Sequence, residues 1–148
     1  MRFLIAGTGP EDAALRDHAA ALGIADRVTF AGHVSDMREV YGKADLLLMT
    51  SRYEGTPLTV LEAMASGVPV VASRLDGIAE VITDGADGFL ITPGVRDEFV
   101  RRVSAVLADS ELRGRVVQAA REKVVANFSA KAMTAQVEAI YTECLAAR

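Results

Sequence analysis

Short apolar runs alternate along the chain with longer stretches whose apolar residues recur at a helical spacing. This is the sequence form of a parallel sheet covered by helices. The runs predict five strands, at Phe3–Ala6, Arg27–Ala31, Asp45–Thr50, Pro69–Ala72 and Gly88–Ile91. Leu46-Leu47-Leu48-Met49 and Val68-Pro69-Val70-Val71-Ala72 do not alternate with polar residues, as expected of strands buried on both faces. Between the strands the spacing predicts helices at Glu11–Leu22, Asp36–Lys43, Pro57–Ser66, Ile78–Ile82 and Arg96–Ala108, with right-handed crossovers. The chain closes with helices alone, near Glu111–Asn127 and Ala130–Ala146, the latter carrying Met133, Val137, Ile140, Tyr141, Cys144 and Leu145 at helical spacing. With no repeat, low-complexity segment or linker in the pattern, residues 1–148 read as a single domain.

In open sheets of this kind ligands bind beyond the carboxyl ends of the strands. Four segments lie there: Ala6 to Pro10, Ala31 to Val34, Ser51 to Thr56 and Ser73 to Gly77. Gly7-Thr8-Gly9 has the start of a dinucleotide loop but lacks its third glycine, and Pro10, Glu11 and Asp12 follow. Carboxylates at a helix N-terminus complement its dipole themselves and repel a phosphate, so the segment also reads as a tight turn before a well-capped helix. The helix after the third strand has no acidic residue from Gly55 to Leu61. Thr56 suits its cap, Pro57 its first turn, and Gly55 permits close approach of a ligand to the backbone. Its free N–H groups are open to an anion such as a diphosphate, the other reading being an ordinary crossover helix.

At 100° per residue, Leu58, Leu61, Met64 and Ala65 share one side of that helix, with Val60 at its edge and Thr59, Glu62 and Ser66 opposite. Glu54 precedes Glu62 by eight positions, so both carboxylates can face a ligand seated on the helix end, or be two solvated surface residues. Carboxylates accept hydrogen bonds from vicinal hydroxyls, which suits them to ribose and sugar rings.

Composition narrows the classes. The chain is 51% apolar and 24% charged, with a net charge of −4 and no basic run able to track a phosphate backbone, which argues against nucleic acid as a partner. At this length folding buries about 68–70% of the extended chain's surface, enough for a core without staples. The single cysteine, Cys144, shows no adaptation to an oxidising compartment, and no apolar run approaches a membrane span, so a cytoplasmic location is expected. His, Cys and carboxylate residues show no metal-ligand spacing, and no metal or other cofactor is expected.

The segment Ser51-Arg52-Tyr53-Glu54-Gly55-Thr56-Pro57-Leu58-Thr59-Val60-Leu61-Glu62, continuing Ala63-Met64-Ala65-Ser66-Gly67-Val68-Pro69-Val70-Val71-Ala72, resembles the signature of retaining nucleotide-sugar glycosyltransferases of family 4, also called group 1. Phe3 to Pro10, Val28 to Gly32, Tyr41 to Asp45, Asp84 to Leu90 and Asn127 to Ser129 are similar to the family at matching intervals. The resemblance implies the donor-binding, C-terminal domain of the two-domain GT-B architecture. Its fold is α/β, a three-layer Rossmann-like parallel sheet with helices on both faces, here lacking the family's first strand and followed by C-terminal helices. Glu54 is the implied catalytic carboxylate, contacting the transferred sugar, and Glu62 the ribose ligand. Backbone groups from Gly55 through Thr56, Pro57, Leu58 and Thr59 are expected at the sugar and diphosphate, and the loop Gly32-His33-Val34 beside the base. His33 is not expected to be catalytic. Asp76 stands where the family frequently has glycine, and a carboxylate there disfavours an anion.

The implied function is the donor half of sugar transfer from a nucleoside-diphosphate sugar to an acceptor hydroxyl, inactive without an acceptor-binding domain or partner chain. Two basic contacts that the family brings from a preceding unit are not in this sequence. At about 1.5–3 kcal/mol each, their loss weakens donor binding by roughly two to four decades. Membrane association is expected only through that other domain, and self-association through unpaired sheet edges. A non-catalytic nucleotide-sugar-binding or assembly module is the alternative. A sugar epimerase shares the architecture but not the Glu54–Glu62 signature, and a phosphate-accepting receiver domain lacks its aspartates after the first and third strands.

Overall fold

The computed structural model describes residues 1–55 and 57–146. Its elements are β1 (Phe3–Ala6), α1 (Asp12–Ala21), a 3₁₀ turn (Ala25–Arg27), β2 (Val28–Gly32), α2 (Met37–Tyr41), β3 (Leu47–Met49), α3 (Leu58–Ala65), β4 (Val70–Ser73), α4 (Asp76–Ala79), β5 (Phe89–Ile91), α5 (Arg96–Ala108), α6 (Ser110–Asn127) and α7 (Ala130–Ala146). The fold is α/β with open parallel sheets flanked by helices: β1 pairs with β2, and β3, β4 and β5 pair in that order, every ladder parallel. The chain divides into two compact units, Met1–Val40 and Tyr41–Arg148.

In the first unit β1 and β2 run in register from Phe3 opposite Val28 to Ile5 opposite Phe30, and a shift then sets Ala6 opposite Gly32. The Gly7 N–H donates to the Gly32 carbonyl at 2.7 Å, and both glycines hold positive φ, 121° and 64°, which joins the two loops beyond the strands. Arg16 bonds Asp12 at 2.7 Å and lies 4.3 Å over the Phe30 ring. Glu11 takes the cap position of α1 without a side-chain bond. The well-capped helix expected there is therefore closed by backbone, Asp12 N–H donating to the Gly9 carbonyl at 3.2 Å.

The second unit holds the core. Val71 of β4, with Phe89 and Ile91 of β5, packs against Phe99 and Val106 of α5 and Val116 of α6. Val70 and Ala72, which point to the other face of β4, are buried as completely, as an unalternating apolar run requires. The turn Asp84 to Gly88 is tied down by its own carboxylates. Asp87 accepts from the Thr83 N–H at 2.7 Å and Lys123 Nζ at 2.9 Å, while Asp84 accepts from the Leu90 N–H at 3.0 Å and from Arg74. Asp109 caps α6 through the Leu112 N–H at 2.9 Å. Arg113 donates to the Val106 and Leu107 carbonyls at 3.1 and 2.6 Å, which satisfies the end of α5.

Four expectations need correction. The run Leu46 to Met49 is not buried on both faces: Leu48 is 42% exposed, and Leu46, Leu47 and Met49 are half-buried. The strand expected at Asp45–Thr50 is only Leu47–Met49. The helix expected at Ile78–Ile82 starts two residues earlier, at Asp76, whose carboxylate complements the first turn, and ends at Ala79. On α3 the buried residues are Val60, Ala63 and Met64, whereas Leu58 is 68% exposed and Ala65 is exposed. Only Thr59 and Glu62 of that helix are polar, so its pattern leaves the buried face to be chosen by packing.

Candidate functional site

After β3 the chain runs through Ser51 to Gly55 into α3. Thr56, expected as the cap, lies outside the described residues, and the cap position belongs to Pro57, in an extended conformation (φ −81°, ψ 102°). Proline brings no side-chain acceptor. Val60 and Leu61 donate their N–H groups to the Pro57 carbonyl at 3.0 and 3.3 Å. The N–H groups of Leu58 and Thr59 are ones that an α-helix leaves without an intrahelical acceptor. Both residues are exposed, and the first turn has no acidic side chain, so the partial positive charge of this helix end meets no protein carboxylate within the turn.

An open cleft of about 420 Å³ is lined by Arg52, Tyr53, Glu54 and Gly55 on one side and by Leu75 and Asp76 on the other. The close approach of the α4 turn to the Glu54–Gly55 backbone depends on a glycine. A Cβ on Gly77 would overlap the Gly55 carbonyl oxygen and lie 3.0 Å from the Glu54 carbonyl oxygen, so the turn that opens α4 fits under the Glu54–Gly55 loop only without a side chain. Glu54 is half-buried in this cleft. Asp76 lines the same cleft.

Glu62 stands on the exposed side of α3 with Thr59 and Ser66, about 6 Å along the axis from Leu58. Tyr41, from the end of α2, is 4% exposed and reaches beneath it. Its Oη donates to Glu62 Oε2 at 3.1 Å and approaches the Thr59 carbonyl oxygen at 3.3 Å. Burial first, then the hydrogen bond and charge of Glu62, push the Tyr41 hydroxyl up to about 12. Sequence reasoning placed Tyr41 in a family-like stretch but missed this contact, as it missed Arg52, Tyr53 and Leu75 in the cleft wall.

The structure thus places Glu54, Gly55, Pro57, Leu58, Thr59 and Glu62 on one continuous loop and helix of the second unit. Gly32 is the last residue of β2 in the first unit, and His33 and Val34 follow it, His33 exposed and Val34 half-buried. Among the described residues no group of three or more His, Cys, Asp or Glu is placed to hold a metal ion, and no helix is long and apolar enough to cross a membrane.

The family profile described as glycosyl transferases group 1 matches residues 1–123. The chain is 36% identical over 148 residues to N-acetyl-alpha-D-glucosaminyl L-malate synthase of Bacillus anthracis, covering 97% of this chain and 38% of that protein. It is 33% identical over 144 residues to alpha-D-kanosaminyltransferase of Streptomyces kanamyceticus, covering 96% of this chain and 37% of that one. Among solved structures it is similar to Anabaena Alr3699/HepE in complex with UDP, with a TM-score of 0.90 and 25% identity over 97% of this chain and 41% of the other. The chain spans about two fifths of the length of these relatives.

Proposed function

The chain belongs to the group 1 glycosyltransferases, and from that premise we propose that it is the part of a retaining enzyme that binds a nucleoside-diphosphate sugar donor. One observation carries this reading: an N-terminal helix end free of acidic side chains stands on the same loop and helix as Glu54 and Glu62, beside an open cleft. The Leu58 and Thr59 N–H groups and the positive end of α3 bind the diphosphate. They favour it more strongly as it leaves with developing charge, which is the condition for catalysis by fixed dipoles. Glu62 accepts hydrogen bonds from the ribose hydroxyls, and Glu54 accepts them from the transferred sugar in the cleft. Transfer to the acceptor hydroxyl takes place on the face of the sugar that the diphosphate leaves, so no second carboxylate is required as nucleophile. The chain spans about two fifths of its relatives' length, and in this reading the acceptor is held by a separate domain or partner chain and transfer requires both.

Calorimetric titration with UDP, GDP and ADP, each alone and as a sugar conjugate, tests the reading. Saturable binding to one base is expected, weakened about tenfold or more in Glu62→Ala, the equivalent of one hydrogen bond to a charged group. A folded sample that binds none of these ligands at millimolar concentration overturns it.

A further inference from the structure

Tyr41 is the one buried residue of α2, and its hydroxyl is the sole hydrogen-bonding partner of the Glu62 carboxylate among the described residues. A phenol has one proton to give, and here two acceptors share it, Glu62 Oε2 at 3.1 Å and the Thr59 carbonyl oxygen at 3.3 Å. The Thr59 contact matters because it ties the hydroxyl to the backbone of α3, one helical turn before Glu62, so the donor is fixed relative to the helix and not only to a long, exposed side chain. An exposed glutamate samples several rotamers, and a ligand that needs one of them loses affinity in proportion to the population of the others.

We propose that Tyr41 is a positioning residue for Glu62: its phenol holds Oε2 against α3 and thereby presents Oε1 to the vicinal hydroxyls of the donor ribose. The inference rests on the reading of Glu62 as the ribose ligand. A phenol suits the task because it donates without bringing a charge. A lysine or arginine in its place would compete with the hydroxyls for the carboxylate and cancel its charge, whereas a neutral donor leaves the remaining lone pairs of Glu62 as acceptors. With its titration pushed up to about 12, the hydroxyl keeps its proton throughout the neutral range.

Tyr41→Phe keeps the buried ring and removes only the hydroxyl. The test is titration of wild-type chain, Tyr41→Phe and Glu62→Ala with UDP, GDP and ADP and with their 2′,3′-dideoxy counterparts. Wild type is expected to prefer the ribose form. Tyr41→Phe is expected to bind that form about tenfold more weakly while binding the dideoxy form as wild type does. Equal weakening for both forms, or none, overturns the positioning role even where Glu62→Ala abolishes the preference. If Glu62→Ala leaves the preference intact, or if the wild-type chain binds no nucleotide, the donor-site reading falls and the inference with it. A ligand-free measurement covers the case in which Tyr41→Phe does not fold. The ultraviolet titration of Tyr41 near pH 12 is expected to move down in Glu62→Gln, and an unmoved midpoint overturns the contact itself.

Discussion

β1 and β4 are strands of the same length, each opening on three apolar residues, with opposite surroundings. Val70, Val71 and Ala72 of β4 are 0% exposed, whereas Phe3, Leu4 and Ile5 of β1 are 41%, 49% and 37% exposed. β4 lies between two strands, and α3 and α5 pack against it, while β1 has β2 as its strand neighbour. The contrast extends to the units that contain them. The second unit has a continuous core from Val71 to Val116, and the first has Ala19 as its one buried apolar residue. An apolar run therefore specifies a strand and leaves open how much stability the strand supplies, because stabilisation follows the area actually removed from water, about 25 cal/mol per Å². Local stability is expected to be low in the first unit and high in the second. The candidate anion end of α3 and both candidate carboxylates stand in the second.

The widest gap between the units is expected from paired truncations. Phe89→Ala, in the core, should cost about 3–5 kcal/mol. Phe3→Ala, on the exposed strand, should stay within about 1 kcal/mol. Urea unfolding midpoints compare the two, and equal losses would break the contrast. Gly77→Ala sharpens it within the second unit. The new Cβ must displace the Gly55 carbonyl at a cost of about 1–3 kcal/mol, as in other overpacked positions. Amide chemical shifts should then move along residues 51–58 and hold steady on β5; an unperturbed loop would mean that the close approach carries no strain. The smallest effect is expected from the exposed strand itself. A rise in mass above the monomer in light scattering at high concentration, suppressed by Leu4→Lys, would show that copies pair through β1. A strict monomer at every concentration would refute that pairing.

Most of the architecture was legible in the chain. The boundaries of β1, α5 and α7 match the predicted ones, those of β5 and α6 differ by one residue at one end, and β2 and β4 are shifted by one residue at both ends. Strong periodicity and punctuation by glycine and aspartate mark such elements well. Where the signal is weak the reading drifts. Asp45 and Thr50 flank a strand that pairs only over Leu47–Met49, and the four-residue α4 is too short to establish a period. The candidate site was legible as a segment, since helix-end chemistry is local: the absence of acidic residues from Gly55 to Leu61 is visible without coordinates. Its walls were legible only as separate segments beyond two strands; that Leu75 and Asp76 line one cleft with Glu54 depends on how the next crossover packs.

From its residues alone the chain determined its strands and helices, its family, and the presence of a free helix end flanked by two glutamates. These depend on spacing and residue type within a few turns of backbone. Tertiary structure alone decided that α3 buries Val60, Ala63 and Met64, since six of its eight residues are apolar and every face of such a helix is a candidate for burial. It decided that Gly77 fits beneath Gly55, and that the Tyr41 hydroxyl meets Glu62 from 21 residues away. Contacts of that range are selected by how elements pack, and no local pattern of hydrophobic and polar positions encodes the choice.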